Sequence, residues 1–136
     1  MGLVRTEITL KNAADEILAK EGHLGAEEIR QVTVEALVDT GAWTMVINEE
    51  LRERLGLEIM GIEPGVLANG VGEVYGLAGP VEIRWKNRRT FSEALVIPGA
   101  KEVLLGAIPL EGLDLIVDPL QEEVVGAHGD ERVYRI

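Results

Sequence analysis

The chain has 136 residues, which is enough for one domain with its own core and too short for two. It contains no cysteine, which excludes disulfide scaffolds, thiol nucleophiles and thiolate metal sites and favours a reducing compartment such as the cytoplasm. The 24 acidic residues outnumber the 13 basic ones and give a formal net charge of -11. Nucleic acid and anionic membranes are therefore poor partners for this chain.

Short stretches in which apolar and polar residues alternate predict strands along most of the sequence. Asn69-Gly70 predicts a type I′ hairpin turn, and Lys86-Asn87 predicts a second turn between strands. Residues 12–26 are polar and predict a loop with at most one helical turn. No stretch reaches the ~20 apolar residues of a transmembrane helix. The predicted strands cover residues 4–10, 29–38, 65–68, 73–77, 81–85, 90–97 and 113–117.

Helix signals are few, and the clearest spans residues 48–57. Asn48 is a good N-cap, two acids follow it in the first turn, and Gly56 suits the C-terminal end. Pro109 suits the first position of a second, shorter helix that ends before Gly112. The predicted fold class is therefore mostly β, a small barrel or folded sheet with one or two short helices.

Residue types alone disfavour several kinds of catalytic site. Ser92 is the only serine and lacks the glycine elbow of a serine nucleophile. His23 and His128 lie in predicted loops without the spacing of a helical zinc site, so we expect solvated histidines and no metal site. The glycines within residues 70–79 nearly match a dinucleotide loop, but no long helix follows. A flexible hairpin is the better interpretation, and nucleotide binding is a weak alternative.

One carboxylate, that of Asp39, is placed unlike the others. It ends the apolar run 36–38 and is followed by Thr40 and Gly41, a hydroxyl and a residue that permits a sharp turn. In one interpretation the carboxylate caps backbone N–H groups in an Asx turn. In the other it is a catalytic acid held near the core. The tripeptide by itself leaves both open.

The surroundings of this tripeptide resemble the active-site loop of the retropepsin-like (clan AA) aspartic proteases. Asp39-Thr40-Gly41-Ala42 follows apolar residues and precedes Thr44-Met45-Val46-Ile47. The family's second landmark, two apolar residues and a glycine, is matched by Leu104-Leu105-Gly106 about 65 residues on. The resemblance covers about residues 32–118 and is closest to the single-domain cellular and prokaryotic members of the family.

This resemblance implies an acid-protease barrel with one lobe per chain, and residues 1–136 as a single domain. An N-terminal hairpin at residues 1–31 and a C-terminal tail at residues 119–136 would be additions to the family core. A flap hairpin over residues 66–76 would bind substrate through Asn69, Gly70, Val71 and Gly72. The tail has strand-like residues from 121 onward, which either enter a dimer interface or cover an edge of their own sheet.

Aspartic proteolysis needs two neighbouring carboxylates, one ionised and one protonated. The chain has one such motif, so the enzyme must be a homodimer with Asp39 from each protomer on the two-fold axis. The resemblance implies that Thr40 bonds across that axis to the partner backbone. Ala42 cannot donate a hydrogen bond to the carboxylates as serine could, which predicts activity toward mildly acidic or neutral pH. No metal or organic cofactor is required.

Two positions depart from the viral members of the family. Trp43 replaces an acid that contacts substrate, and Ala107 replaces the arginine that pairs with that acid. We expect Trp43 to line the substrate site, where it walls an apolar subsite or partly fills the cleft, and packing against Leu51 and Leu55 is an equal alternative. The sequence predicts an aspartic endopeptidase acting on peptides or proteins. The alternative is a weakly active or inactive dimer of the same fold that binds peptides or has a structural role.

Overall fold

The computed structural model describes residues 3–66, 69–134 and 136. Three short helices occur in this part of the chain, together with a 3-10 turn at Ala26–Glu28: α1 (Ala13–Lys20), α2 (Glu49–Leu55) and α3 (Ala107–Gly112). The strands are β1 (Arg5–Asn12), β2 (Gln31–Val38), β3 (Met45–Ile47), β4 (Glu58–Val66), β5 (Gly72–Trp85), β6 (Arg88–Val96), β7 (Val103–Leu105), β8 (Leu115–Asp118) and β9 (Glu123–Gly126). Among the residues described, no helix has the length and apolarity needed to cross a bilayer.

Six strands close into a barrel in the order β1-β2-β7-β3-β6-β5, because β5 pairs back onto β1. The β2–β7 and β3–β6 pairs are parallel, and the other pairs in the ring are antiparallel. β4 extends the sheet beyond the ring by pairing with the first half of β5, while β8 and β9 form a separate hairpin. The predicted mostly β fold with a small barrel is thereby confirmed.

The barrel interior is filled by side chains from alternate positions of the strands. Ile8 and Leu10 on β1 and Ile83 on β5 are at most 1% exposed, as the period of two in a strand requires for an inward-facing set. Leu55 on α2 and Leu105 on β7 join the same apolar cluster. The strand that carries Leu105 therefore lies against the centre of the core.

Helix α2 forms where the sequence predicts it. The Asn48 side chain accepts a hydrogen bond from Leu51 N at 2.8 Å, and Gly56 ends the helix in the left-handed conformation at φ 63°. Leu51 and Leu55 are buried one turn apart on the face that meets the barrel. The local capping signals are thus sufficient to position this helix.

The prediction of a loop over residues 12–26 is wrong, because residues 13–20 form helix α1. Its stabilising contacts are a cap and an ion pair rather than an apolar stripe. The Asn12 side chain accepts from Asp15 N at 3.0 Å, and the carboxylate of Asp15 accepts from Arg30 Nε, Nη2 and backbone N at 2.8, 2.9 and 3.0 Å. The hydrogen bond from Arg30 holds the pKa of Asp15 below its usual value.

Other predicted elements differ from the structure in extent. The three-residue strand β3 was not predicted, and β4 begins at Glu58, well before the predicted strand 65–68, of which residues 67–68 lie outside the described part. Helix α3 begins at Ala107, two residues before Pro109. The turn at Lys86-Asn87 is confirmed, since Trp85 pairs with Arg88 across it.

We expect Asn12→Ala to lower the free energy of unfolding by about 2 to 3 kcal/mol. The substitution removes the cap of α1 and also the amide that donates to Leu55 O at 2.9 Å and to Gly56 O at 3.3 Å, and so frees carbonyls that are partly or fully buried. Asn87→Ala is the matched control, because Asn87 is exposed and makes a single 3.2 Å contact with Asp130 O. Urea unfolding of the two variants measures the difference. Equal losses would contradict this role for Asn12.

Candidate active site

Asp39 directly follows β2 at the point where that strand lies beside β7. Val38 and Leu105 are paired in the parallel ladder, and Asp39 N extends it by donating to Leu105 O at 3.0 Å. Asp39 is half-buried. The carboxylate is therefore carried by a residue whose backbone is fixed to a core strand.

The loop after Asp39 is a tight turn held by its own hydrogen bonds. Asp39 Oδ1 accepts from Gly41 N at 3.0 Å, and Asp39 O accepts from Ala42 N at 3.0 Å. A Cβ on Gly41 would lie 3.2 Å from Oδ1, so glycine keeps this contact open. Within the described part of the chain, Oδ2 has neither a hydrogen bond nor a salt bridge. The Asx-type turn is thus present, and it leaves one carboxylate oxygen available for other chemistry.

The segment Leu104-Leu105-Gly106 lies directly against this loop. Ala107 N donates to Ala42 O at 2.9 Å, and Ile108 N donates to Trp43 O at 2.9 Å. Gly106 is buried between them, and a Cβ there would lie 2.3 Å from Thr44 O and 2.6 Å from Ala42 O. The structure therefore brings the two sequence landmarks into backbone contact. Only glycine fits at the crossing.

Two further contacts of the loop carried no sequence signal. Thr44 Oγ1 donates to Glu93 O at 3.2 Å and so joins the end of the loop to β6. The contact of Ile108 with Trp43 uses backbone atoms alone, which any residue type at 108 would supply. Thr40 is exposed at the tip of the loop, where its hydroxyl is accessible to a second molecule.

Trp43 is 78% exposed, although it is a large apolar side chain. The interpretation in which it packs against Leu51 and Leu55 is wrong, because those leucines are buried in the core without it. Ile108, whose backbone holds Trp43, is itself 50% exposed, and Ala107 beside it carries no charge. An apolar, uncharged surface therefore lies next to the Asp39 loop.

The predicted flap corresponds to the hairpin of β4 and β5, which pairs from Glu58 and Gly79 out to Val66 and Gly72. At its tip Gly70 has φ 84°, and the Asn69 side chain accepts from Val71 N at 2.9 Å. The type I′ turn stays a prediction, since it also involves Ala68, which lies outside the described residues. The outer half of the hairpin presents exposed apolar side chains: Ile62, Val66, Val71 and Val74.

The residues that the sequence excluded as catalytic groups lie apart from one another. His128 pairs with Asp114 at 2.7 Å, and this contact holds the pKa of Asp114 below its usual value. His23 is exposed, and the Ser92 hydroxyl bonds to Glu93 O at 2.7 Å. Among the described side chains, no group of three or more histidines or carboxylates is placed to hold a metal ion.

Comparison with known protein families identifies the family of the chain. A family model described as aspartyl protease matches residues 27–107, more than half of the chain. The chain belongs to the retropepsin-like aspartyl protease family. The match spans Asp39 at the end of β2, the β4–β5 hairpin and Gly106. A comparison with curated proteins found no match to this chain.

Because Gly106 lies where the two family landmarks touch, we expect Gly106→Ala to disrupt the loop. The added methyl would clash with backbone carbonyls that cannot move without distorting the loop. We expect the free energy of unfolding to fall by about 3 kcal/mol or more, as in severe overpacking. Gly61→Ala is the control, because a Cβ at Gly61 meets nothing within 4 Å. For this control we expect the free energy of unfolding to change by about 1 kcal/mol or less. Thermal unfolding of both variants tests the contact, and a stable Gly106→Ala protein would show that the loop is not held there.

Proposed function

We propose that this member of the aspartyl protease family is an endopeptidase that works as a homodimer, with Asp39 of each protomer in one active site. The observation that supports it is the fixed position of Asp39, whose loop makes three backbone hydrogen bonds, to Leu105, Ala107 and Ile108. One Asp39 oxygen supports the turn, and the other faces no partner in the described residues. In this proposal residues 1–136 form one domain that supplies half of the catalytic pair.

The contacts of three other aspartates support the dimer, and the fourth, Asp130, is exposed in the turn after β9. Asp15 is bound to Arg30, Asp114 to His128 and Val133 N, and Asp118 caps Leu120 N. Each of these carboxylates stabilises a local feature away from the Asp39 loop. Because two acids are needed and one chain presents one, a second copy is the simplest source of the other.

The chemistry follows from placing two carboxylates about 3 Å apart, where both cannot be ionised. The ionised Asp39 takes a proton from a water molecule as the water oxygen attacks the peptide carbonyl carbon. The protonated Asp39 donates a hydrogen bond to the carbonyl oxygen, which gains charge as the bond forms. Breaking the C–N bond then requires a proton on the leaving nitrogen, which the pair supplies.

The proposed substrate is a peptide or protein segment that lies between the Asp39 pair and the flap hairpin. Backbone N–H groups near Gly70 and Gly72 are expected to reach the substrate through water. The exposed apolar surface at Trp43 and Ile108 favours an apolar substrate side chain. We place the activity in the cytoplasm, the compartment that a chain without cysteine predicts.

We expect Asp39→Asn to abolish peptide cleavage while the dimer and its stability are preserved. The amide keeps the shape of the side chain but cannot accept the proton of water. The test is cleavage of a mixed peptide library at pH ~4 to 7, read by mass spectrometry, with sedimentation to measure the dimer. Asp130→Asn is the control, because Asp130 is exposed and its side chain makes no hydrogen bond or salt bridge with the described residues. Full activity in Asp39→Asn, or a strictly monomeric active protein, would refute the proposal.

Trp43→Ala tests whether the exposed tryptophan contacts the substrate. Because the side chain is 78% exposed, we expect the free energy of unfolding to change by less than about 0.5 kcal/mol. We expect kcat/KM for an apolar peptide to fall roughly tenfold because KM increases. Phe91→Ala is the control, since Phe91 is 57% exposed on β6 opposite Glu82. An increase in kcat/KM would mean that Trp43 fills the cleft and obstructs substrate.

A further inference from the structure

Glu82 is a buried carboxylate in the barrel wall, away from the Asp39 loop. Its side chain is 0% exposed, although an ionised carboxylate is costly to bury unless its oxygens are hydrogen-bonded. Oε1 accepts from Arg84 Nε at 3.1 Å and lies 3.6 Å from Arg89 Nη1. Oε2 is fully buried and has no hydrogen-bond partner among the described residues. Burial of this oxygen therefore requires another donor.

A second carboxyl group, that of Glu16 on α1, is placed to be this donor. Lys11 on β1 is paired directly opposite Glu82 on β5, and Lys11 Nζ lies 4.0 Å from Glu16 Oε1. Besides burial, the neighbouring Glu82 carboxyl raises the pKa of Glu16, through a hydrogen bond between the two acids and through its charge. Two carboxyl groups can be hydrogen-bonded to each other when one of them is protonated. A proton on Glu16 satisfies the buried Oε2 of Glu82.

The charges around this pair decide which acid keeps the proton. Arg84 on β5 and Arg89 on β6 both face Glu82, while Glu16 has Lys11 at the longer distance of 4.0 Å. Asp15, the other acid at this end of α1, is bound to Arg30 and does not compete for these cations. The two arginines therefore favour charge on Glu82 and leave Glu16 protonated.

We propose that Glu16 and Glu82 share one proton. The hydrogen bond that this proton forms between them, here called the clamp, holds α1 against the barrel and is lost as the pH rises. The clamp joins a helix to the strand that also closes the barrel through β1. When both acids are ionised, like charges face each other at a buried site. The packing of α1 is then weakened while the rest of the barrel is unaffected. This inference is independent of the proposed protease activity.

The direction of the pH effect follows from the two carboxyl groups. Burial, with the hydrogen bond to Glu82, raises the pKa of Glu16 to about 7. Burial alone would raise the pKa of Glu82 as well, but the hydrogen bond from Glu16 and the charges of Arg84 and Arg89 hold it below its usual value. A carboxyl whose pKa is higher in the folded state stabilises the fold at low pH, and this stability is lost as the pH rises toward 7. The unfolding equilibrium constant should therefore increase roughly tenfold to a hundredfold between pH 5 and 8.

The first test titrates the side-chain carboxyl carbons of ¹³C-glutamate in the unmodified protein by NMR. We expect one glutamate to titrate near pH 7, and its signal to be absent from Glu16→Gln. The proposal is overturned if every glutamate titrates below about pH 5.5, or if the near-neutral titration persists in Glu16→Gln. The titration of the unmodified protein by itself shows whether a glutamate stays protonated up to about pH 7. A folding defect in Glu16→Gln would therefore not obscure that result.

The second test measures stability and local opening against pH. Glu16→Gln can donate an amide hydrogen to Glu82 at every pH. The loss of stability that ionisation of Glu16 causes between pH 5 and 8 should therefore disappear in this variant. Glu21→Gln is the matched control, because it removes the same charge from an exposed position at the end of α1 and should keep the parental pH dependence. The histidines contribute equally to the pH dependence of stability in all variants, so comparing the variants at each pH removes their contribution. Amide exchange in α1 should accelerate above pH 7 relative to α2, and equal acceleration in both helices would refute a clamp specific to α1.

Discussion

The position of the proposed catalytic acid depends on one contact, the crossing of the Asp39 loop over Gly106. The contact joins backbone to backbone: Ala42 and Trp43 offer carbonyls to the N–H groups of residues 107 and 108, and no side chain separates the two segments. Strand β7 runs parallel to β2, so both segments leave the barrel at the same end. Asp39 thereby takes its position from the core, because the strand beneath it carries the fully buried Leu105. A loop attached in this way needs few contacts of its own.

Strand β5 connects this core to the β4–β5 hairpin, the proposed flap. Its second half pairs with β1 and closes the barrel, while its first half pairs with β4 and leaves the ring. The change occurs near Gly79, where φ is 155° and the pairing with β6 is interrupted by a register shift after Ala78. The hairpin is therefore a continuation of the barrel wall. Movement at its tip requires bending at this irregular point rather than unfolding of the core.

The sequence was informative where local capping contacts coincide with a clear apolar spacing or a continuous motif. Helix α2 was predicted because Asn48 and Gly56 lie within ten residues of each other, and the Asp39 loop because its motif is continuous. Helix α1 was missed although Asn12 caps it locally, because it lacks an apolar period and its ion pair joins Asp15 to Arg30, fifteen residues away. The exposure of Trp43 was likewise not predictable, since tryptophan is compatible with a core or with a surface. The missed features depend on partners that become neighbours only when the barrel closes.

Two pairs of acids show how the surroundings determine where a proton resides. In the Glu16 and Glu82 pair the environment is asymmetric, because Arg84 and Arg89 face one acid and only the more distant Lys11 faces the other. The proton therefore belongs to Glu16, and its loss weakens a structural contact. In the proposed dimer both copies of Asp39 have identical surroundings by symmetry, so neither protomer is favoured to hold the proton. The substrate must break that symmetry. The asymmetric surroundings of Glu16 and Glu82 thus suit a structural role, and the symmetric surroundings of the proposed Asp39 pair suit catalysis, in which either acid can act as base or donor.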